Sequence, residues 1–161
     1  MANKDENAHT YEQKLKNFLN KYAVDYQYLQ FSTSCHSVQD AAQSVNASIS
    51  DCIKNICMID SDDEVIVAIV KGEHRASTSR VAKALNISRP RIAKPDEIME
   101  KTGYPCGGVP AFGFSAIFLI DPKVMDNSRV YTSGGSDTTL IKISPKDIQR
   151  LNQGKIVRVR K

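Results

Sequence analysis

No apolar run in this 161-residue chain approaches the ~20 residues that a membrane-spanning helix needs. The segment Met1 to Thr10 is polar and lacks the apolar stretch of a secretory signal. Together these absences predict a cytosolic protein without a membrane partner. Cysteine is scarce, with only Cys35, Cys52, Cys57 and Cys106 present. Four cysteines in a chain of this length, with no secretory signal, do not suggest a disulfide framework. Nor do they show the two close pairs of a structural zinc site. Cys52 and Cys57 stand nearest in sequence, and their odd offset along an apparent strand would send them to opposite faces. They read better as small core hydrophobes, so a metal site is not expected. Phosphate-loop and dinucleotide fingerprints are missing, and so are internal repeats, linkers and low-complexity tracts.

What is there is the composition of a globular protein, 41% hydrophobic and 25% charged, long enough for one domain over 1–161 with a flexible tail over about 1–10. The net charge of +4 is unevenly placed. Between Lys71 and Lys94 stand Lys71, Arg75, Arg80, Lys83, Arg89, Arg91 and Lys94 against Glu73 alone, a local +6 that leaves −2 elsewhere. Such a patch suits a polyanionic partner, nucleic acid above all, or else a solvated helix face followed by a basic loop.

Leu15, Phe18, Leu19 and Tyr22 recur at helical spacing and predict a helix over about 11–22. Tyr26 to Phe31 reads as a short strand. Ser37 and Asp40 resemble a capping box that opens a helix through Ala41, Ala42 and Val45. Ile53 to Asp60 and Val65 to Val70 flank the turn Ser61-Asp62-Asp63 and read as a hairpin. A helix over Thr78 to Leu85 enters through Ser77. Pro90 to Ala93 is a short strand, and Pro95 opens a helix that Gly103 stops. Strands follow at Ala116 to Ile120, Val130 to Thr132 and Leu140 to Ile143, then a short helix announced by Ser144, Pro145 and Asp147. The tail Lys155 to Lys161 alternates as an edge strand would. Helices and strands mix without a regular repeat, which favours an α+β domain over a doubly wound parallel sheet.

The loop from Thr102 to Phe114 is the densest chemical signal. It holds four of the chain's eight glycines and two of its six prolines. Glycines let a backbone approach a ligand closely, prolines stiffen it, and such a loop can aim N–H groups at an oxygen. A plain connection needs ~2–6 residues, so this segment reads as a binding loop rather than an elaborate turn. Lys54 would share a strand face with Ile56 and Met58, where a lysine either snorkels to solvent or serves a cleft. Taken alone, snorkelling is the better reading. His36 beside Cys35 is a weak thiol–imidazole pair, because sequence neighbours rarely face each other. His74 reads as a surface residue. Ser133-Gly134-Gly135-Ser136 would either bind an anion or close a hairpin.

Several pieces then line up in one order. Ser37-Val38-Gln39-Asp40-Ala41-Ala42 resembles the Thr-x-x-Glu-Ala-Ala helix start of the YbaK / prolyl-tRNA-synthetase-associated editing domain family. Ile53-Lys54-Asn55-Ile56 resembles that family's lysine-bearing strand. Val81-Ala82-Lys83-Ala84-Leu85 resembles its Leu-Ala-x-Ala-Leu helix. Thr102-Gly103, Gly107-Gly108-Val109-Pro110 and Phe112-Gly113 resemble its glycine loop. Asp121 stands where the family closes its next strand with Asp, and Ser133-Gly134-Gly135 matches a late small-residue loop. The resemblance covers about Gln27 to Leu151. Asn55 replaces the usual Ser/Thr after the lysine, and Ala111 separates Pro110 from Phe112, which leaves the amino acid open.

The resemblance implies a strongly curved, barrel-like mixed β-sheet surrounded by helices. It also implies hydrolysis of mischarged tRNA, in particular tRNA for proline carrying alanine or cysteine. Lys54 becomes the functional lysine that orients the ester. Gly107, Gly108, Val109 and Pro110 become the loop that holds it and supplies N–H donors. Phe112, Gly113, His36, Asn55, Asp121, Ser133, Gly134 and Gly135 are the further substrate-contacting positions. Lys71, Arg75, Arg80, Lys83, Arg89 and Arg91 would meet the tRNA phosphates, together with Lys155, Arg158, Arg160 and Lys161 of the tail. Water, or a substrate thiol, is the nucleophile, and no cofactor is required. The partners implied are mischarged tRNA and an aminoacyl-tRNA synthetase. A non-catalytic tRNA-binding or synthetase-associated module of the same fold is the alternative.

Overall fold

The computed structural model describes residues 4–161. Helix α1 (Lys4–Lys21) docks through Leu15 and Leu19, both fully buried, with Phe18 beside them. It begins at Lys4 rather than near Tyr11, so Lys4 to Thr10, expected in a tail, open this helix; residues 1–3 lie outside the described residues. Three later helices start as the sequence predicts, at serines whose hydroxyls accept the N–H three residues on. Ser37 caps α2 (Val38–Ser44), accepting from Asp40 at 3.0 Å. Ser77 caps α3 (Thr78–Leu85), accepting from Arg80 at 3.1 Å, and Ser144 caps α5 (Pro145–Asn152), accepting from Asp147 at 3.1 Å. Between them α4 (Pro95–Thr102) starts on its proline and stops at Gly103, whose φ of 78° needs a residue without Cβ.

The β-strands make two sheets. In the first, β2 (Ile53–Ile59) and β3 (Val65–Lys71) form the expected antiparallel hairpin at the centre. The two-residue strand β4 (Arg91–Ile92) pairs with the far end of β2. On the other side β5 (Ile117–Ile120) runs parallel to β3, and β8 (Lys155–Ile156) parallel to β5. The second sheet is antiparallel, in the order β1 (Tyr26–Gln30), β7 (Thr139–Ile143), β6 (Val130–Ser133). The expected single, strongly curved sheet is therefore divided, and a bridge between Cys52 and Tyr131 links the start of β2 to β6. The α+β class is the one observed. The tail pairs as a strand only at its first two residues, with a further bridge from Arg160 to Ala76.

Alternation along the central strands sorts the core. Ile53, Cys57 and Ile59 of β2, Val67 and Ile69 of β3, and Phe118 and Ile120 of β5 face one large cluster. That cluster also contains Leu15 and Leu19 of α1, Ile141 and Ile143 of β7, and Phe112. The opposite faces, with Met58, Ile66, Ala68, Val70 and Leu119, pack on Val81 of α3 and on Val159. Val159 is held in place by Asp121, which is fully buried. Its carboxylate accepts from the N–H of Val159 and of Arg160, each at 3.1 Å, and pairs with the Arg160 guanidinium at 2.8 Å. Burial alone would push this carboxyl up, but the N–H groups of Lys123, Arg160 and Val159 and the guanidinium together hold it below the usual range. No helix among the described residues is long and apolar enough to cross a membrane.

Candidate active site

A cleft of about 410 Å³ opens where the two sheets meet. Its walls are the segment leading into α2 (Cys35, His36, Ser37), the first half of β2 (Ile53 to Cys57) and the β4–α4 corner (Ile92, Ala93, Ile98). Cys106, Gly107 and Val109 of the glycine loop, with Tyr131 to Ser133 of β6, complete it. Lys54, Asn55, His36, Gly107, Val109 and Ser133, each singled out in the sequence, thus line one cleft. Pro110, Phe112, Gly113, Gly134, Gly135 and Asp121 do not line it. Phe112 is fully buried in the core, stacked on Phe18, and Asp121 fastens the C-terminal segment instead of facing a ligand.

Lys54 lies in register with Val70, on the Ile56 and Met58 face of β2, half-buried. Burial disfavours its charge, and the positive field of Arg75 adds to that, so its pKa is lowered. Among the described residues no carboxylate lies within ion-pairing distance of it. Asn55 points to the other face of the strand. Its Nδ2 donates to Val109 O at 3.0 Å and to Thr132 Oγ1 at 2.8 Å. A main-chain carbonyl can only accept, so this contact fixes which way the amide is turned. The amide oxygen is left buried with no partner. Asn55 therefore clamps β2, the glycine loop and β6 to one another.

The glycine loop is fastened by its carbonyls. Val109 O is held by Asn55, and Gly107 O accepts from Ser133 Oγ at 3.4 Å. The N–H of Gly108 is taken up by Pro105 O at 2.9 Å. It is not available to a ligand, contrary to the expectation for the whole 107–109 stretch. Among the described residues no acceptor takes the N–H of Gly107 or of Val109, both on the cleft wall. Gly108 instead serves packing: a Cβ there would lie 2.8 Å from the main chain of Gly135 and Ser136. The two glycine-rich segments of the sequence meet backbone to backbone at this point. Gly107 has a φ of 90° and carries the His36 imidazole against it, in space that any side chain would need.

All four cysteines border the cleft, which sequence reading placed simply in the core. Cys106 is exposed and the other three are buried. Burial pushes the Cys57 thiol up to about 12, with Cys106 adding to it, and the Cys52 thiol up to about 11. Cys35 is raised for the same reason. These three thiols are held neutral and are poor nucleophiles. Thr132 was missed, although an inward-facing polar residue two positions after Val130 marks it on β6.

The basic segment divides into engaged and free residues. Arg91 is forked onto Glu97, at 2.8 and 2.7 Å, by an acid just beyond the stretch that looked acid-poor. Lys71 pairs with Glu73 at 3.3 Å, and Arg89 donates to Thr78 at 2.6 Å. Arg160 is committed to Asp121. Arg75, Arg80 and Lys83 engage no carboxylate among the described residues. His74, expected at the surface, is half-buried with its Nδ1 unpartnered.

This architecture is that of a known class. The aminoacyl-tRNA editing domain matches residues 32–151, and the chain belongs to that family. YwhH of Bacillus subtilis (strain 168), an uncharacterized protein, is 27% identical over 130 residues, 79% of this chain and 82% of its own length. The proline–tRNA ligase of Oleidesulfovibrio alaskensis is 24% identical over 119 residues, 73% of this chain but 21% of the ligase. Among solved structures, the hypothetical protein APE2540 superposes with a TM-score of 0.86 at 22% identity, covering 92% of this chain and 99% of that one. A candidate trans-editing enzyme for prolyl tRNA synthetase also gives 0.86, at 20% identity over 94% and 97%.

Proposed function

We propose that this chain is a trans-editing deacylase that hydrolyses the ester of mischarged tRNA in the cytoplasm, tRNA for proline carrying cysteine or alanine being the first substrates to test. The observation that carries the reading is the pairing, across one cleft, of an ammonium and two N–H donors that find no partner among the described residues. Lys54 supplies the charge, and Gly107 and Val109 supply the donors. An aminoacyl ester is already activated, so its hydrolysis needs an oriented carbonyl and support for the negative charge that forms on it. Donors aimed at that oxygen are each worth about 3 kcal/mol in a site that excludes water. The family and the ligase relative support tRNA as the partner, with a prolyl-tRNA synthetase as the enzyme whose errors would be corrected.

Purified protein incubated with alanyl-, cysteinyl- and seryl-tRNA is expected to release the amino acid from at least one of them and to leave correctly charged prolyl-tRNA intact. Tight binding of all of these without release, by folded protein, would mean a tRNA-binding module and not an enzyme.

A further inference from the structure

The cleft holds no carboxylate among its lining residues. Hydrolysis by water produces a proton, and the groups bordering the cleft that could take it are few. Three of the four thiols are buried and held neutral. An ammonium has no lone pair, so Lys54 in its charged form cannot accept. His36 is different. It is exposed, it borders the cleft, and no hydrogen bond among the described residues engages its ring. Its Nδ1 edge rests on Gly107, where the missing side chain lets the imidazole lie flush against the loop that carries the free N–H groups. A neutral imidazole carries a ring-nitrogen lone pair that can accept a proton.

We propose that His36 is the general base that activates the attacking water, an assignment that rests on the deacylase reading. The water oxygen bonds to the ester carbonyl carbon while one of its protons passes to the Nε2 lone pair of His36. The carbonyl π pair moves onto its oxygen, facing the N–H groups of Gly107 and Val109. On collapse the carbon–oxygen bond to the terminal ribose breaks, and the imidazolium returns its proton to that oxygen. Free amino acid and tRNA leave, and His36 is neutral again. The charged or titratable groups of the neighbouring elements are Lys54 of β2 and Cys106 of the glycine loop, which line the same cleft, with Asp40 of α2 and Asp137 of the turn before β7. The last two lie close enough to the adjacent Cys35 to help hold its thiol up.

The test is a pH–rate profile of single-turnover deacylation, corrected for uncatalysed ester loss, on the mischarged tRNA that wild-type protein cleaves fastest. Wild type is expected to slow on the acid side of its pH profile, because the base must be neutral to accept the proton. His36→Gln is expected to slow the reaction by about 10²–10⁴ and to lose that acid limb, with tRNA binding unchanged. His36→Gly is expected to regain rate on addition of free imidazole. A wild-type protein inactive on every mischarged tRNA overturns the deacylase and this role with it. An active wild type whose His36→Gln variant keeps both rate and acid limb overturns this role alone. A variant that only binds tRNA more weakly and keeps the limb makes His36 a contact for the terminal nucleotide, which also overturns it.

Discussion

A lysine near the start of a paired strand can carry its ammonium out along the apolar stem or keep it where a ligand will meet it. At Lys54 burial works against the charge and Arg75 repels it, with no carboxylate among the described residues to compensate. The fold alone gains nothing from such a residue. Lys54→Ala is therefore expected to leave the melting temperature unchanged or slightly raised, since it removes a partly desolvated charge. Its deacylation rate should fall by roughly 10²–10³, about 3–4 kcal/mol of transition-state stabilisation. Lys54→Arg should fail as well, because a planar fork does not replace a compact point charge. Near-normal turnover by folded Lys54→Ala would leave the loop N–H groups as the remaining electrostatic support.

At the scale of the element, the glycine loop shows which parts of the site were legible. Glycine and proline density marked the loop, the serine caps marked α2, α3 and α5, and two apolar runs flanking the turn Ser61-Asp62-Asp63 marked β2 and β3. These are local signals, written within a few residues. The clamp from Asn55 to Val109 and Thr132, the seat of His36 on Gly107 and the Asp121–Arg160 pair join residues far apart in sequence. They follow from how the sheets pack, which no local period encodes. The loop's glycines also turn out to have different duties. Gly108→Ala sets a methyl group 2.8 Å from main-chain atoms that have no rotamer to yield, so the two glycine segments must part. A stability loss of about 1–3 kcal/mol is expected, with activity lost per folded molecule. Gly113→Ala, outside the cleft in more open space but at a φ of 94°, should lose stability and keep activity per folded molecule. Thermal melts beside active-site-normalised rates separate the two; equal loss of activity in both would mean that the loop acts only through stability.

At the scale of the whole molecule, charge and chemistry are joined by the C-terminal segment. Asp121 holds Val159 and Arg160, Val159 O accepts from Ser77 N at 2.7 Å, and Lys161 N donates to Arg75 O at 2.9 Å. The tail is thereby laid against the start of α3. Arg75, in the segment leading into α3, is close enough to Lys54 to depress its pKa. For the proposed deacylase, Lys83, Arg80 and Arg75 are basic residues that engage no carboxylate among the described residues and so are available to tRNA phosphates. Phosphate contacts position a nucleic acid without reading its sequence. Arg80→Glu with Lys83→Glu is accordingly expected to weaken all tRNAs alike, charged or uncharged. It should also reduce the steepness of log K against log salt by about 0.7–0.9 for each phosphate that is no longer neutralised. Arg91→Glu should behave differently, because the Arg91 guanidinium is already forked onto Glu97. Its larger effect is expected on the packing of β4 against α4, and its salt slope should stay close to wild type. Filter binding of one tRNA at several salt concentrations measures all three slopes. If the double reversal leaves affinity and slope unchanged, α3 is a solvated face and the tRNA approaches the cleft from elsewhere.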